Sequence, residues 1–221
     1  MKDGFIKVAA GTPDVQVADC EFNAAEIIKM VREMEAEGAR VMVFPELCIT
    51  AYTCGDLFWQ ENLLEEAKVQ LMRIAEETAD VDAIIFVGLP LEYKGKLYNV
   101  AAGLNHGEIL GFVPKTYLPN YNEFYEARYF TSGENVDGTV TIRRSEYGLH
   151  HDEEMTDEDM EFGLEAELEA LEEEDSFEEL EEIDEEPDYI DEDETEEFDE
   201  VDVPISSNIL FICQEMPKLK I

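Results

Sequence analysis

The chain has 221 residues, with 56 acidic against 15 basic side chains and a formal net charge of −41 at pH 7. Residues 152–202 hold 31 of the acids and no Lys or Arg, which leaves 25 acids and 15 bases, a net of −10, for the other 170 residues. Charge of this sign argues against nucleic acid as a partner, and no run of 18 apolar residues is present to argue for a membrane span.

The 170-residue remainder is a mildly acidic globular composition, large enough to bury one core. Met1-Lys2-Asp3-Gly4 runs straight into a strand pattern rather than a signal-peptide apolar region, so the expectation is a soluble, cytoplasmic protein. Cys20, Cys48, Cys54 and Cys213 lack zinc-like spacing and are expected to be free thiols. His106, His150 and His151 are too few and scattered for a metal site, although the His150-His151 pair beside the acidic run could hold a metal weakly.

In chain order, residues 5–10 read as a first strand and Gly11-Thr12-Pro13-Asp14 as a turn. Ala24, Ile27, Ile28, Val31 and Met34 recur at helical spacing and predict a helix over 23–37, with Asn23 as N-cap and Gly38 as its stop. The β-branched run 41–44 reads as a buried strand that Pro45 ends, which sets Glu46 at the rim of a sheet. Ligands gather at such strand ends in α/β sheets, and a half-desolvated carboxylate there could act as a general base. The plainer alternative is a solvated loop glutamate. A second helix is predicted over 62–78, a buried strand over 82–90, and then a meander of antiparallel strands over 91–93, 97–104 and 108–113. Helices covering a mixed sheet are the expected outcome.

A second anchor follows at Gly111-Phe112-Val113-Pro114-Lys115. Lys115, like Glu46, stands one residue past a proline that ends an apolar strand, so the two ionisable groups can meet in one pocket. Six aromatics between Tyr117 and Phe130 could wall that pocket and lower its dielectric. Taken singly, Lys115 reads equally as a surface charge and the aromatics as core.

Phe44-Pro45-Glu46-Leu47, Tyr52 and Pro114-Lys115 together resemble the nitrilase, or carbon–nitrogen hydrolase, superfamily. The longer stretches from Cys48 to Phe58 and from Lys115 to Arg128 resemble most closely the N-terminal glutaminase domain of glutamine-dependent NAD⁺ synthetases. The resemblance implies an α/β fold, a four-layer αββα sandwich of the nitrilase type, built by residues 1–144 and resumed over 203–221. It implies glutamine as substrate, with Glu46 as general base, Lys115 stabilising the oxyanion, and Glu126 orienting Lys115 or the amide. Tyr52, Tyr121 and Phe124 would shape the glutamine pocket. Ammonia would pass to a separate synthetase domain that uses ATP and Mg²⁺, with no cofactor in this chain itself, and the longer protein would be a homo-oligomer. Amide cleavage needs just such parts: a nucleophile, a base within reach, and a cation where negative charge develops.

This chain departs from the pattern. Ala51 stands where many superfamily members have Gly, and no Cys occupies the nucleophile position, which is expected just beyond Ile221. Cys213 lies in an apolar run and reads as a small buried hydrophobe, and Cys48 and Cys54 match no nucleophile position. The expectation is therefore a C-terminally incomplete domain, inactive alone. Residues 145–202 read as an acidic, low-complexity, disordered insertion, since like charges oppose compaction and no basic residue supplies i,i+4 pairs. Two alternatives stay open: another amidase of the superfamily, or a non-catalytic protein that displays the acidic segment to a basic partner.

Overall fold

The computed structural model describes residues 5–144 and 199–207. Residues 208–221, with Cys213, and the greater part of the acidic segment, with His150, His151 and the predicted disorder, lie outside the described residues.

Seven strands form one mixed sheet: β1 (Val8–Ala10), β2 (Val41–Val43), β3 (Ile84–Tyr93), β4 (Lys96–Asn105), β5 (Glu108–Pro114), β6 (Asp137–Arg144) and β7 (Asp199–Ser206). Their spatial order is β1-β2-β3-β4-β5-β7-β6. β1, β2 and β3 run parallel, as a strand-helix-strand crossover requires. The β3-β4-β5 meander is antiparallel, β5 meets β7 in parallel, and β7 pairs antiparallel with β6. The two-residue β3–β4 turn puts Lys94 and Gly95 at φ +51° and +70°, the left-handed pair that tight hairpins demand.

Helices α1 (Cys20–Ala36) and α2 (Glu61–Glu77) pack on each other and on one face of the sheet. Ile27, Val31, Leu71, Ile74 and Ala75 of the helices share one core with Met42, Ile85, Val87, Leu104 and Phe112 of the strands. The paired residues Met42, Ile85 and Leu104 lie on that face, whereas Val43, Phe86 and Gly103 lie on the other. The second face is apolar but open: Val8 and Val43 remain exposed, and Ala101 with them. The described residues thus supply one sheet and one helix layer of a mixed α/β fold.

Two boundaries differ from the sequence expectation for identifiable reasons. The α1 cap lies four residues earlier, at Asp19 rather than Asn23, because Asp19 accepts from the Phe22 amide at 3.0 Å. Asn23 is instead wholly buried and ties α1 to two loops, pairing with the Gln16 main chain and donating to the Ile49 carbonyl at 2.9 Å. Residues 84–93 form one strand rather than two, because Pro90 falls beyond the stretch that β2 pairs with, where β3 needs no donor on that side.

Candidate active site

Glu46 follows β2 and Pro45 on a loop held tightly against β3. The Phe44 amide donates to the Phe86 carbonyl and the Ile49 amide to the Gly88 carbonyl. Gly88 makes this approach possible: a Cβ there would stand 2.4 Å from the Leu47 nitrogen and 2.9 Å from the Pro45 oxygen. The loop also needs two left-handed residues, Leu47 at φ +51° and Ala51 at φ +67°. The second shows why glycine suits this position, since glycine adopts the conformation freely and Ala51 holds it only at a cost.

Lys115 follows β5 and Pro114 in the same way. Its amide donates to the Asn99 carbonyl on β4 at 2.8 Å, and its carbonyl accepts from the Gly133 amide at 2.9 Å. Gly133 presses so closely that an added Cβ would meet the Pro114 oxygen at 2.6 Å. Glu126 opens the short 3₁₀ turn Glu126–Arg128, and its residue is only 4% exposed.

These three side chains meet. Lys115 Nζ donates to Glu46 Oε1 at 2.6 Å and to Glu126 Oε1 at 2.9 Å, and it stands 2.9 Å from Glu126 Oε2 as well. Tyr52 OH donates to Glu126 Oε1 at 2.8 Å, and Oε2 of this buried carboxylate accepts no hydrogen bond among the described residues. The Asn99 side-chain amide donates to Glu46 Oε1. The Glu46 side chain is 40% exposed and that of Lys115 28% exposed, so the cluster grades from a solvated carboxylate to a buried one.

The electrostatics follow from that arrangement. Burial works against the Lys115 ammonium, but the hydrogen bonds and charges of Glu46 and Glu126 outweigh it and raise its pKa. Lys115 is therefore a fixed cation near neutral pH, suited to stabilising negative charge and unsuited to taking a proton. Burial, then the hydrogen bond and charge of Glu126, push the Tyr52 phenol upward, so it stays a neutral donor. Glu46 Oε2 accepts no hydrogen bond among the described residues and is the oxygen left to receive a proton.

A cleft of about 580 Å³ opens beside this cluster on the open face of the sheet. Glu46, Asn99 and Lys115 line its polar side, and Phe86, Ala101 and Val113 its apolar floor. Tyr117 joins the lining, whereas Tyr121 and Phe124 do not and instead pack edge to face on each other at 5.7 Å. The aromatic run is divided: Phe130 enters the core, Tyr129 packs against Phe58 and Trp59, and Tyr121 and Tyr125 are exposed. Asn99 is the residue that sequence reasoning missed. Its signal was a lone amide in the apolar run of β4.

The three described cysteines are buried and protonated. Burial raises the Cys20 thiol to about 12 and that of Cys48 to about 11, and it raises Cys54 as well. No group of three or more potential metal ligands occurs among the described residues. No described helix is long and apolar enough to cross a membrane.

The family model for carbon-nitrogen hydrolases matches residues 7–151. The chain is 39% identical over 139 residues to the glutamine-dependent NAD(+) synthetase of Mycobacterium tuberculosis, covering 63% of this chain and 20% of that protein. It is 40% identical over 118 residues to the protein of that name from Aquifex aeolicus, covering 53% of this chain and 20% of the other. The chain thus spans about one fifth of the length of these relatives. Among solved structures, a glutamine-dependent NAD(+) synthetase from Cytophaga hutchinsonii superposes with a TM-score of 0.58 at 30% identity, over 61% of this chain and 23% of that one. An amidase from Nesterenkonia shares the fold with a TM-score of 0.52 at 21% identity, over 63% of this chain and 52% of the other.

Proposed function

Because the chain belongs to the carbon-nitrogen hydrolase family, we propose that residues 1–144 and 203–221 are the glutaminase part of a glutamine-hydrolysing NAD⁺ synthetase and that residues 145–202 are an insertion in it. The observation that carries this reading is the Glu46–Lys115–Glu126 cluster, a cation held between two carboxylates at 2.6 and 2.9 Å beside an open cleft. In it Glu46 Oε2 takes the proton of an attacking thiol, and Lys115 stabilises the oxyanion of the tetrahedral adduct. Glu126, itself buried and held by Tyr52, keeps Lys115 in place. The nucleophile comes from outside the described residues, because Cys20, Cys48 and Cys54 are buried and protonated. Glutamine is the substrate and ammonia the product, passed to a synthetase domain. The ATP and Mg²⁺ of that second reaction belong to the other domain, and no described residue is assigned to them.

A substrate screen tests the reading. Residues 1–207 joined to the downstream part of the Mycobacterium tuberculosis relative form a chimera with a complete hydrolase sequence. It is expected to release ammonia from L-glutamine at least tenfold faster than from butyramide, the ligand of one structure of the Nesterenkonia amidase. A preference for butyramide would support a general amidase instead.

A further inference from the structure

The geometry points to Asn99 as a positioning residue that fixes the Glu46 carboxylate against Lys115 and decides which carboxylate oxygen stays free. Asn99 lies on β4, opposite Pro90 on β3, and is only 3% exposed. It holds the Glu46 carboxylate and the Lys115 backbone: its side-chain amide donates to Glu46 Oε1, and its main-chain carbonyl accepts from the Lys115 main-chain amide at 2.8 Å. One strand residue therefore sets the distance between two loops that are otherwise far apart in sequence.

The chemistry of an amide suits this position. It is a neutral donor, so it binds the carboxylate without competing for it as a second cation would. Turned over, it would set its own oxygen against Oε1, which repulsion forbids, so the carboxylate and the amide orient each other. With Asn99 and Lys115 both on Oε1, that oxygen is saturated and Oε2 is directed to solvent or substrate. This last consequence rests on the reading of Glu46 as the base, whereas the positioning itself does not.

The test reads the coupling directly in the 221-residue chain. The ¹³Cε shift of Lys115, assigned by its loss in Lys115→Arg, is followed against pH in the unsubstituted chain and in Asn99→Leu, which keeps the volume and removes the donor. Since the hydrogen bond and charge of Glu46 raise the Lys115 midpoint, freeing Glu46 shifts that midpoint measurably downward, with other lysines unmoved. A lower melting temperature with an unmoved Lys115 midpoint would mean that Asn99 only fills space, and the inference fails. Should Asn99→Leu not fold, the side-chain amide resonance of Asn99 decides in the unsubstituted chain. It is expected downfield of ordinary asparagines and to move upfield in Glu46→Gln; an ordinary position in both overturns the proposal. Neither readout uses glutamine, so an inert chimera with a shifted Lys115 would sink the glutaminase reading and leave this one standing.

Discussion

Glu126 is a buried carboxylate, and its partners show how the site meets the cost of burying it. A carboxylate that is 4% exposed would be strongly penalised if alone; here an ammonium at 2.9 Å and a phenol at 2.8 Å stand against it. At an effective dielectric of about 20 such a close ion pair is worth roughly 5 kcal/mol before desolvation is subtracted, so removing the ammonium leaves the buried Glu126 carboxylate uncompensated, whereas Lys115 without Glu126 keeps Glu46 at 2.6 Å. The described cysteines face the opposite situation: burial raises all three thiols, and the charges of Glu66 and Asp19 raise Cys20 further. Cys48 is 2% exposed and its thiol sits at about 11 against an ordinary 9.0. The raised value means that the folded state holds the proton more tightly than the unfolded chain. Its contribution to stability is therefore complete below pH 9 and is lost as the pH climbs to about 11. At pH 8 only roughly one Cys48 thiol in a thousand is ionised. Peptide-resolved mass spectrometry after iodoacetamide at pH 8 should find Cys20 and Cys48 unmodified in the native chain and modified in urea. Labelling of native Cys48 within minutes would contradict its burial and reopen it as a nucleophile.

At the scale of elements, the site is two strand ends, each stopped by a proline and each backed by a glycine. Gly88 lets the Glu46 loop lie on β3, and Gly133 lets the following loop lie on Pro114. Gly88→Ala and Gly133→Ala should each cost about 2–4 kcal/mol, the range of severe steric mutations. Thermal melting by circular dichroism checks this, and melting temperatures unchanged within a degree would show that the close approaches are not real. The proline-bounded ends were legible in the sequence because a missing amide and a run of β-branched residues are local signals. The backing glycines were not, since their role depends on which loop lies across them. The same limit hid Asn99, whose partners are 53 residues upstream and 16 downstream in the chain, and it placed the α1 cap at Asn23 rather than Asp19, because Asn23's loop partners cannot be read from helical spacing. The Ala51 departure, by contrast, was visible as a residue type and became physical only when its φ of +67° was known.

At the scale of the whole molecule, the sheet places chemistry on one face and a helix-packed core on the other. The mixed α/β class and the meeting of Glu46 with Lys115 followed from pattern and resemblance. The division of the aromatic run between core, surface and cleft did not, because a 3₁₀ turn redirects it. β6 lies at the sheet edge, and its end residue Arg144 pairs with Asp199 at the start of β7. The 54 residues between them thus leave and return at one point of the edge, the kind of site where added chain is least costly. The first four residues of β7 belong to the acidic run, and Asp202 is used there to accept from the Thr141 hydroxyl at 2.7 Å. Whether Glu46 and Lys115 act together on an amide is read from ammonia release from L-glutamine by the chimera. Glu46→Gln and Lys115→Met are each expected to lower the rate at least about 100-fold, the usual scale for removing a general base or an oxyanion donor, while the folded state persists by circular dichroism. Full activity in either folded variant would contradict their joint action.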